Sequence, residues 1–131
     1  MARADAWHDA VAVTTVLIVD DDAAFRRLAG ELLEDLGFLV VGEAGDGQQA
    51  IAEAARLRPD AVLLDVHMPD TDGFSLARQL TRRQRTPRVL LTSTDASAGP
   101  TATLESSGAV GFLAKHALAV TDLRPLLGAA P

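Results

Sequence analysis

The stretch VLIVDDD, Val16 to Asp22, runs four apolar residues straight into three carboxylates. Two carboxylates about 4 Å apart repel by roughly 4 kcal/mol at the effective dielectric of a protein surface. Such a cluster calls for a divalent cation, a basic partner, or splaying into water. Other polar residues stand directly after apolar runs: Asp65 after AVLL, Thr92 after RVLL and Lys115 after GFLA. Carboxylates, a hydroxyl and an ammonium together suit phosphoryl chemistry. A hard cation such as Mg²⁺ (or Mn²⁺) takes one or two carboxylates plus phosphate oxygens, and Asp20, Asp21 and Asp65 are the candidate ligands. Asp65 is also a candidate nucleophile, forming an acyl phosphate. Lys115 would neutralise charge on the phosphoryl oxygens while the Thr92 hydroxyl donates a hydrogen bond. Each residue has a plainer role open to it. Asp22 suits a helix N-cap, Thr92 an ordinary strand position, and Lys115 a solvated surface. Four strand ends carrying one coherent set of charges argue against coincidence.

These residues meet only if the elements before them lie side by side. The apolar runs VLIV (Val16 to Val19), LVV (Leu39 to Val41), AVLL (Ala61 to Leu64), RVLL (Arg88 to Leu91) and GFLA (Gly111 to Ala114) suit buried parallel strands. Between the first two, Phe25, Leu28, Ala29, Leu32, Leu33 and Leu36 form a helical stripe that Gly37 stops. A second helix is expected after Gly45-Asp46-Gly47, with Ala50, Ile51, Ala54 and Ala55 inward and Pro59 at its end. A third runs from about Asp72 to Gln84 on Phe74, Ala77 and Leu80. A fourth, near Thr101 to Ser107, is diluted by Thr and Ser. The last, around Thr121 to Leu127, is short and contains Pro125.

A β-α unit repeated five times implies an α/β three-layer sandwich around a parallel sheet. Right-handed crossovers put every strand's C-terminal end on one rim, where ligands bind. The expected organisation is a loose extension over residues 1–14, one domain over 15–128 and a tail over 129–131.

Composition narrows the classes. A chain of 131 residues, 48% hydrophobic, suits one domain with one core. No cysteine is present, which removes disulfides and thiolate chemistry. The net charge of −6 argues against direct nucleic-acid binding, and the basic run RQLTRRQR, Arg78 to Arg85, reads as a solvated helix end. No apolar run approaches the roughly 18 residues of a membrane span. The segment AVAVTTVLIV, Ala10 to Val19, ends in aspartates rather than a cleavage site, so a cytoplasmic location is expected.

The acid pair in VLIVDD, the stretch LLDVHMPDTDG, LLTS, and the lysine in GFLAK resemble the receiver domain of bacterial two-component response regulators. The resemblance covers residues 16 to 128 and implies a flavodoxin-like (βα)5 fold of strand order 2-1-3-4-5. It implies that Asp65 is the phosphoacceptor, that Asp20 and Asp21 are the metal-binding pair with Asp21 favoured as direct ligand, and that His67 lends a backbone carbonyl to Mg²⁺. Thr92 and Lys115 match the family's hydroxyl and lysine, and Phe112 its switch aromatic, beside a helix 4–strand 5–helix 5 output face. Met68, Pro69 and Gly73 match the loop that shapes the acceptor's backbone, while His67 and Thr94 occupy side-chain positions that tune phosphoryl lifetime. The implied partner is a sensor histidine kinase or phosphotransfer protein, with a phosphorylation-dependent homodimer as a further expectation. One departure is His116, where the family commonly has a cis proline; a non-proline cis bond costs about 2.5–4 kcal/mol, so a trans bond and a differently shaped loop are expected.

Two other classes stay open. A phosphohydrolase of the haloacid-dehalogenase type would use Asp20-x-Asp22 with Asp20 as nucleophile, although its late acidic pair should follow the lysine rather than precede it. A degenerate receiver would serve only as a protein-binding module. A flavodoxin is excluded because three aspartates after the first strand would repel the flavin phosphate.

Overall fold

The five apolar runs become five parallel strands, and alternation along each strand sends side chains to two faces. The computed structural model describes residues 13–82, 87–95 and 101–128. The elements are β1 (Thr15–Val19), α1 (Ala23–Asp35), β2 (Leu39–Ala44), α2 (Gly47–Leu57), β3 (Ala61–Asp65) and α3 (Gly73–Thr81). They continue with β4 (Arg88–Ser93), α4 (Thr101–Ser106), β5 (Gly111–Ala114), a 3₁₀ helix (Lys115–Val120) and α5 (Arg124–Leu127). The sheet order is β2-β1-β3-β4-β5, the flavodoxin-like order. The central strands β1 and β3 are buried on both faces, as their unbroken apolar runs require.

Leu17, Val19, Leu64 and Leu91 point to one face and pack with Ala50 of α2 and Leu76 and Ala77 of α3. Val16, Ile18, Leu63 and Leu90 point to the other and pack with Ala29 and Leu33 of α1 and Leu127 of α5. Three helices that follow rim strands begin the same way, on an aspartate. Asp22, Asp46 and Asp72 are their N-caps, each with an extended backbone and a side chain accepting from first-turn N–H groups.

The helix stripes are narrower than the sequence suggests. Leu28 is 53% exposed and Ile51 44%, and Ala55 is exposed as well. The α1 helix meets the sheet through Ala29 and Leu33, one turn apart, so Leu28 is rotated about 100° off that line. In α2 the buried positions are Gly47, against Thr71 and Asp70, and Ala50, which faces the core and leaves Ile51 beside the contact. The last helix is also shorter than expected. Pro125 sits in its first turn, where its missing N–H is harmless, and Thr121 before it is extended. The 3₁₀ helix over Lys115–Val120 has no counterpart in the sequence reading. Gln84, at the expected end of the third helix, and residues 1–12 and 129–131 lie outside the described residues. Thr14, placed in the expected extension, has its carbonyl accepting from Leu39 N–H at 3.0 Å.

Asp72 generates a prediction. Its Oδ1 accepts from Ser75 N–H at 2.8 Å, and this bond holds its carboxyl below the usual range. A depressed folded value means stability that is full above the unfolded value of 3.8 and is lost as pH falls through the folded one. Asp72→Ala should therefore lower stability by roughly 0.5–1 kcal/mol at neutral pH. Thermal melts followed by circular dichroism should show the gap closing in acid, and a gap independent of pH would refute the ionic part of the cap.

Candidate functional site

The three acids after β1 go to three different places. Asp20 turns inward and is 1% exposed. Its Oδ1 accepts from Asp22 N–H at 2.9 Å, its own N–H donates to Ala44 O at 3.0 Å, and its carbonyl accepts from Arg26 Nη1 at 2.6 Å. Asp21 stays exposed beside it. Asp22 leaves the cluster, because its Oδ1 accepts from Ala24 and Phe25 N–H groups at 3.0 and 3.3 Å and caps α1. That cap breaks Asp20-x-Asp22 as a catalytic pair and removes the motif on which a dehalogenase-type reading leaned.

β3 delivers Asp65 to the same rim, 5% exposed. One oxygen from each of Asp20, Asp21 and Asp65 falls within 4.8 Å of the others. Lys115, directly after β5, completes the cluster with Nζ 2.6 Å from Asp20 Oδ2 and 3.7 Å from Asp65 Oδ2. Its side chain is only 14% exposed. The ammonium also lies over the Phe25 ring, 4.2 Å from its centroid.

One ammonium does not balance three carboxylates, and Asp65 registers the deficit. Burial pushes its carboxyl above the usual value and the charge of Asp20 adds to this, with a smaller push from Asp21. Lys115 and the His67 N–H pull the other way. Asp20 Oδ2 is buried with no hydrogen-bond partner, its charge faced by the Lys115 ammonium at 2.6 Å. A buried, under-bonded carboxylate oxygen is costly. Clustered hard oxygens with surplus negative charge are what Mg²⁺ or Mn²⁺ takes, so the residues present fit a small divalent cation.

Around this centre, Thr92 lies in register with Asp65 across β3 and β4. It is buried, with its hydroxyl 3.5 Å from Leu64 O and its carbonyl accepting from Val66 N–H at 2.9 Å. Phe112 is paired in register with Leu91, the residue before Thr92, and is half-buried against the α2–α3 side of the core. Thr94 is exposed, just past β4. His67 is exposed too, and its N–H donates to Asp65 Oδ1 at 3.3 Å.

The loop from His67 to Asp72 is held from both ends. A side chain on Gly73 would bring a Cβ within 2.6 Å of Asp65 O and Val66 Cα, so only glycine lets α3 start against the backbone of Asp65. Asp70 reaches across to α2, accepting from Gly47 and Gln48 N–H groups at 2.8 and 3.1 Å. Met68 packs into the core, and Pro69 is exposed. Phe25, Arg26 and Asp70 escaped the sequence reading as site residues. The available signal was position: Phe25 and Arg26 fall in the first turn of the helix that starts at the acidic rim.

Comparison with known proteins gives a consistent picture. A family model described as the response regulator receiver domain matches residues 16–125. The chain is 43% identical over 103 residues to a protein-glutamate methylesterase/protein-glutamine glutaminase of Alkalilimnicola ehrlichii, covering 76% of this chain and 26% of that one. It is 35% identical over 119 residues to the transcriptional regulatory protein PdtaR of Mycobacterium tuberculosis, covering 91% and 57%. The chain thus spans only part of these curated relatives. Among solved structures it resembles the response regulator domain of Thermotoga maritima CheB, with TM-score 0.75, 28% identity and coverage of 91% and 99%. It also resembles the receiver domain of the putative regulator NarL from M. tuberculosis, with TM-score 0.77, 30% identity and coverage of 88% and 98%.

The raised Asp65 carboxyl has a measurable consequence. For an acid whose folded value lies above its unfolded 3.8, ionisation costs stability at pH above the folded value, and the cost vanishes below the unfolded one. In metal-free buffer at neutral pH, Asp65→Asn should melt higher than the wild type, with the gap closing in acid. Added Mg²⁺ should raise the wild-type melting temperature more than the variant's, by preferential binding to the folded chain. Equal shifts in the two proteins would exclude Asp65 from the cation site.

Proposed function

The chain belongs to the response regulator receiver domain family, and on that premise we propose that Asp65 accepts a phosphoryl group with Asp20, Asp21 and Asp65 holding Mg²⁺ or Mn²⁺. Receiver domains are phosphorylated by histidine kinases or phosphotransfer proteins, so the donor in this reading is a phosphohistidine. An Asp65 oxygen attacks phosphorus, the new P–O bond forms as the P–N bond breaks, and the departing imidazole nitrogen takes a proton. When bound, the cation neutralises charge on the phosphoryl oxygens. Lys115 supplies the second countercharge from its position beside Asp65, and Thr92 supplies a hydroxyl donor from the neighbouring strand. His67 lends its backbone carbonyl to the cation, and the exposed His67 and Thr94 side chains tune how readily water reaches the acyl phosphate.

The observation that carries this reading is Lys115 Nζ set between Asp20 and Asp65, at 2.6 and 3.7 Å, in a cluster of three carboxylates. The chain's own chemistry is then its phosphorylation and slow dephosphorylation, not turnover of a separate substrate. Phosphorylation draws Thr92 toward Asp65, Phe112 packs in behind it, and the α4–β5–α5 face changes for output. Among the described residues no helix is long and apolar enough to cross a membrane.

Incubation with acetyl phosphate and Mg²⁺, followed by intact mass measurement, should show one added phosphoryl group. The adduct should require the metal and be absent from Asp65→Asn. A wild type that binds Mg²⁺ yet never gains mass would instead favour a module that only binds protein. Lys115→Ala should keep its metal and lose the switch, seen as unperturbed β4–β5 amide resonances when a beryllofluoride mimic is added. Sedimentation with the same mimic should show a wild-type homodimer; unchanged mass would remove dimerisation from the output.

A further inference from the structure

Lys115 is the only lysine of the chain, against eleven arginines, so a single ammonium serves the whole rim. Two of its neighbours are carboxylates that the cation site also needs. The third is the face of Phe25, 4.2 Å from Nζ to the ring centroid, well inside the roughly 6 Å at which a ring's quadrupole attracts a cation. Phe25 is itself anchored. Its N–H donates to the capping Asp22, its ring packs beside the α1–α5 side of the core, and the next residue, Arg26, grips the Asp20 carbonyl. The VLIVDDD stretch therefore determines where the ring stands as well as where the acids stand.

We propose that Phe25 is a positioning residue that seats the Lys115 ammonium between Asp20 and Asp65. The inference rests on the phosphoacceptor reading only for its effect on rate. The ring's chemistry suits this position better than either alternative. A carboxylate there would pull the ammonium away from the acceptor and compete for the cation. An aliphatic side chain would exclude water but leave one side of a largely buried charge without a partner. An aromatic face attracts the ammonium, sheds no proton and offers a hard cation no ligand oxygen. A flexible four-carbon stem is thereby held to one location before the phosphoryl group arrives, which is the preorganisation that charge stabilisation depends on.

Because Lys115 is the sole lysine, ¹³C-lysine labelling yields one set of side-chain signals and removes assignment doubt. The Lys115 ε-CH₂ protons of the folded wild type should lie upfield of their unfolded position, through the ring current of Phe25. Phe25→Leu should abolish that shift and slow phosphorylation by acetyl phosphate at saturating Mg²⁺ by roughly two- to fivefold, the scale of one cation–π contact. Phe25→Tyr should restore both. An unshifted ε-CH₂ signal in the wild type overturns the seat without any variant, so a Phe25→Leu chain that fails to fold leaves the test decisive. A lost shift with an unchanged rate overturns the positioning role. A shifted signal in a wild type that never gains phosphate sinks the phosphoacceptor reading while the seat itself stands.

Discussion

The ion pair between Lys115 and Asp20, 2.6 Å long and almost wholly buried, is the constraint from which the rest of the rim follows. Taking both charges out of water is costly, and removing one partner from such a pair costs about 3–5 kcal/mol because the other is then stranded. Yet the pair is not self-sufficient. Asp20 Oδ2 has no hydrogen-bond partner, and Asp65 and Asp21 bring two further carboxylates to the same place. The folded chain gathers surplus negative charge of the kind a divalent cation could offset, and the raised carboxyl of Asp65 is its local expression.

The elements around the pair bring Asp20, Asp65 and Lys115 together on one rim of the sheet. β1 and β3 lie side by side in the middle of the sheet, so Asp20 and Asp65 emerge together, and β4 sets Thr92 level with Asp65. Lys115 follows β5, two strands from β3, and its long stem reaches the acids. Arg26 joins this frame from α1, bonding the Asp20 carbonyl at 2.6 Å and pairing with Glu43 of β2 at 2.8 Å. The exposed Arg26–Glu43 pair is worth little as a salt bridge alone. Its consequence is geometric, since it ties the acidic turn to the edge strand.

The loop after Asp65 is held by close approach. Gly73 permits α3 to start against the backbone of Asp65 and Val66, and its N–H donates to Val66 O at 2.6 Å. Gly47 plays a related part on α2, where a Cβ would meet the Thr71 methyl at 2.6 Å and the Asp70 carboxylate at 3.2 Å. Asp70 then spans the gap and caps α2 from outside, its carboxyl held below the usual range by the Gly47 N–H. The loop carrying His67 is thus fastened to two helices on the side of Asp65 where α2 and α3 begin.

Much of this was legible in the chain itself. Period and punctuation sufficed to place five strands, because buried parallel strands are unbroken apolar runs; the polar end of β2, Gly42 to Ala44, lay beyond its run LVV. The acids, hydroxyl and lysine were readable for the same reason, each being the first polar residue after such a run. Helix faces were less legible: Leu28, Ile51 and Ala55 fit an amphipathic stripe, but which side of α1 or α2 touches the sheet depends on how the helix rolls on its neighbours. Sequence by itself determined which chemical groups reach the rim and in what order. Only the tertiary structure decided that Asp22 leaves the acid cluster to cap α1, that Lys115 pairs with Asp20 more closely than with Asp65, and that Phe25 lies under the ammonium. Those are distances between residues remote in the chain or choices between rival hydrogen bonds, and they are set by packing, which no local pattern records.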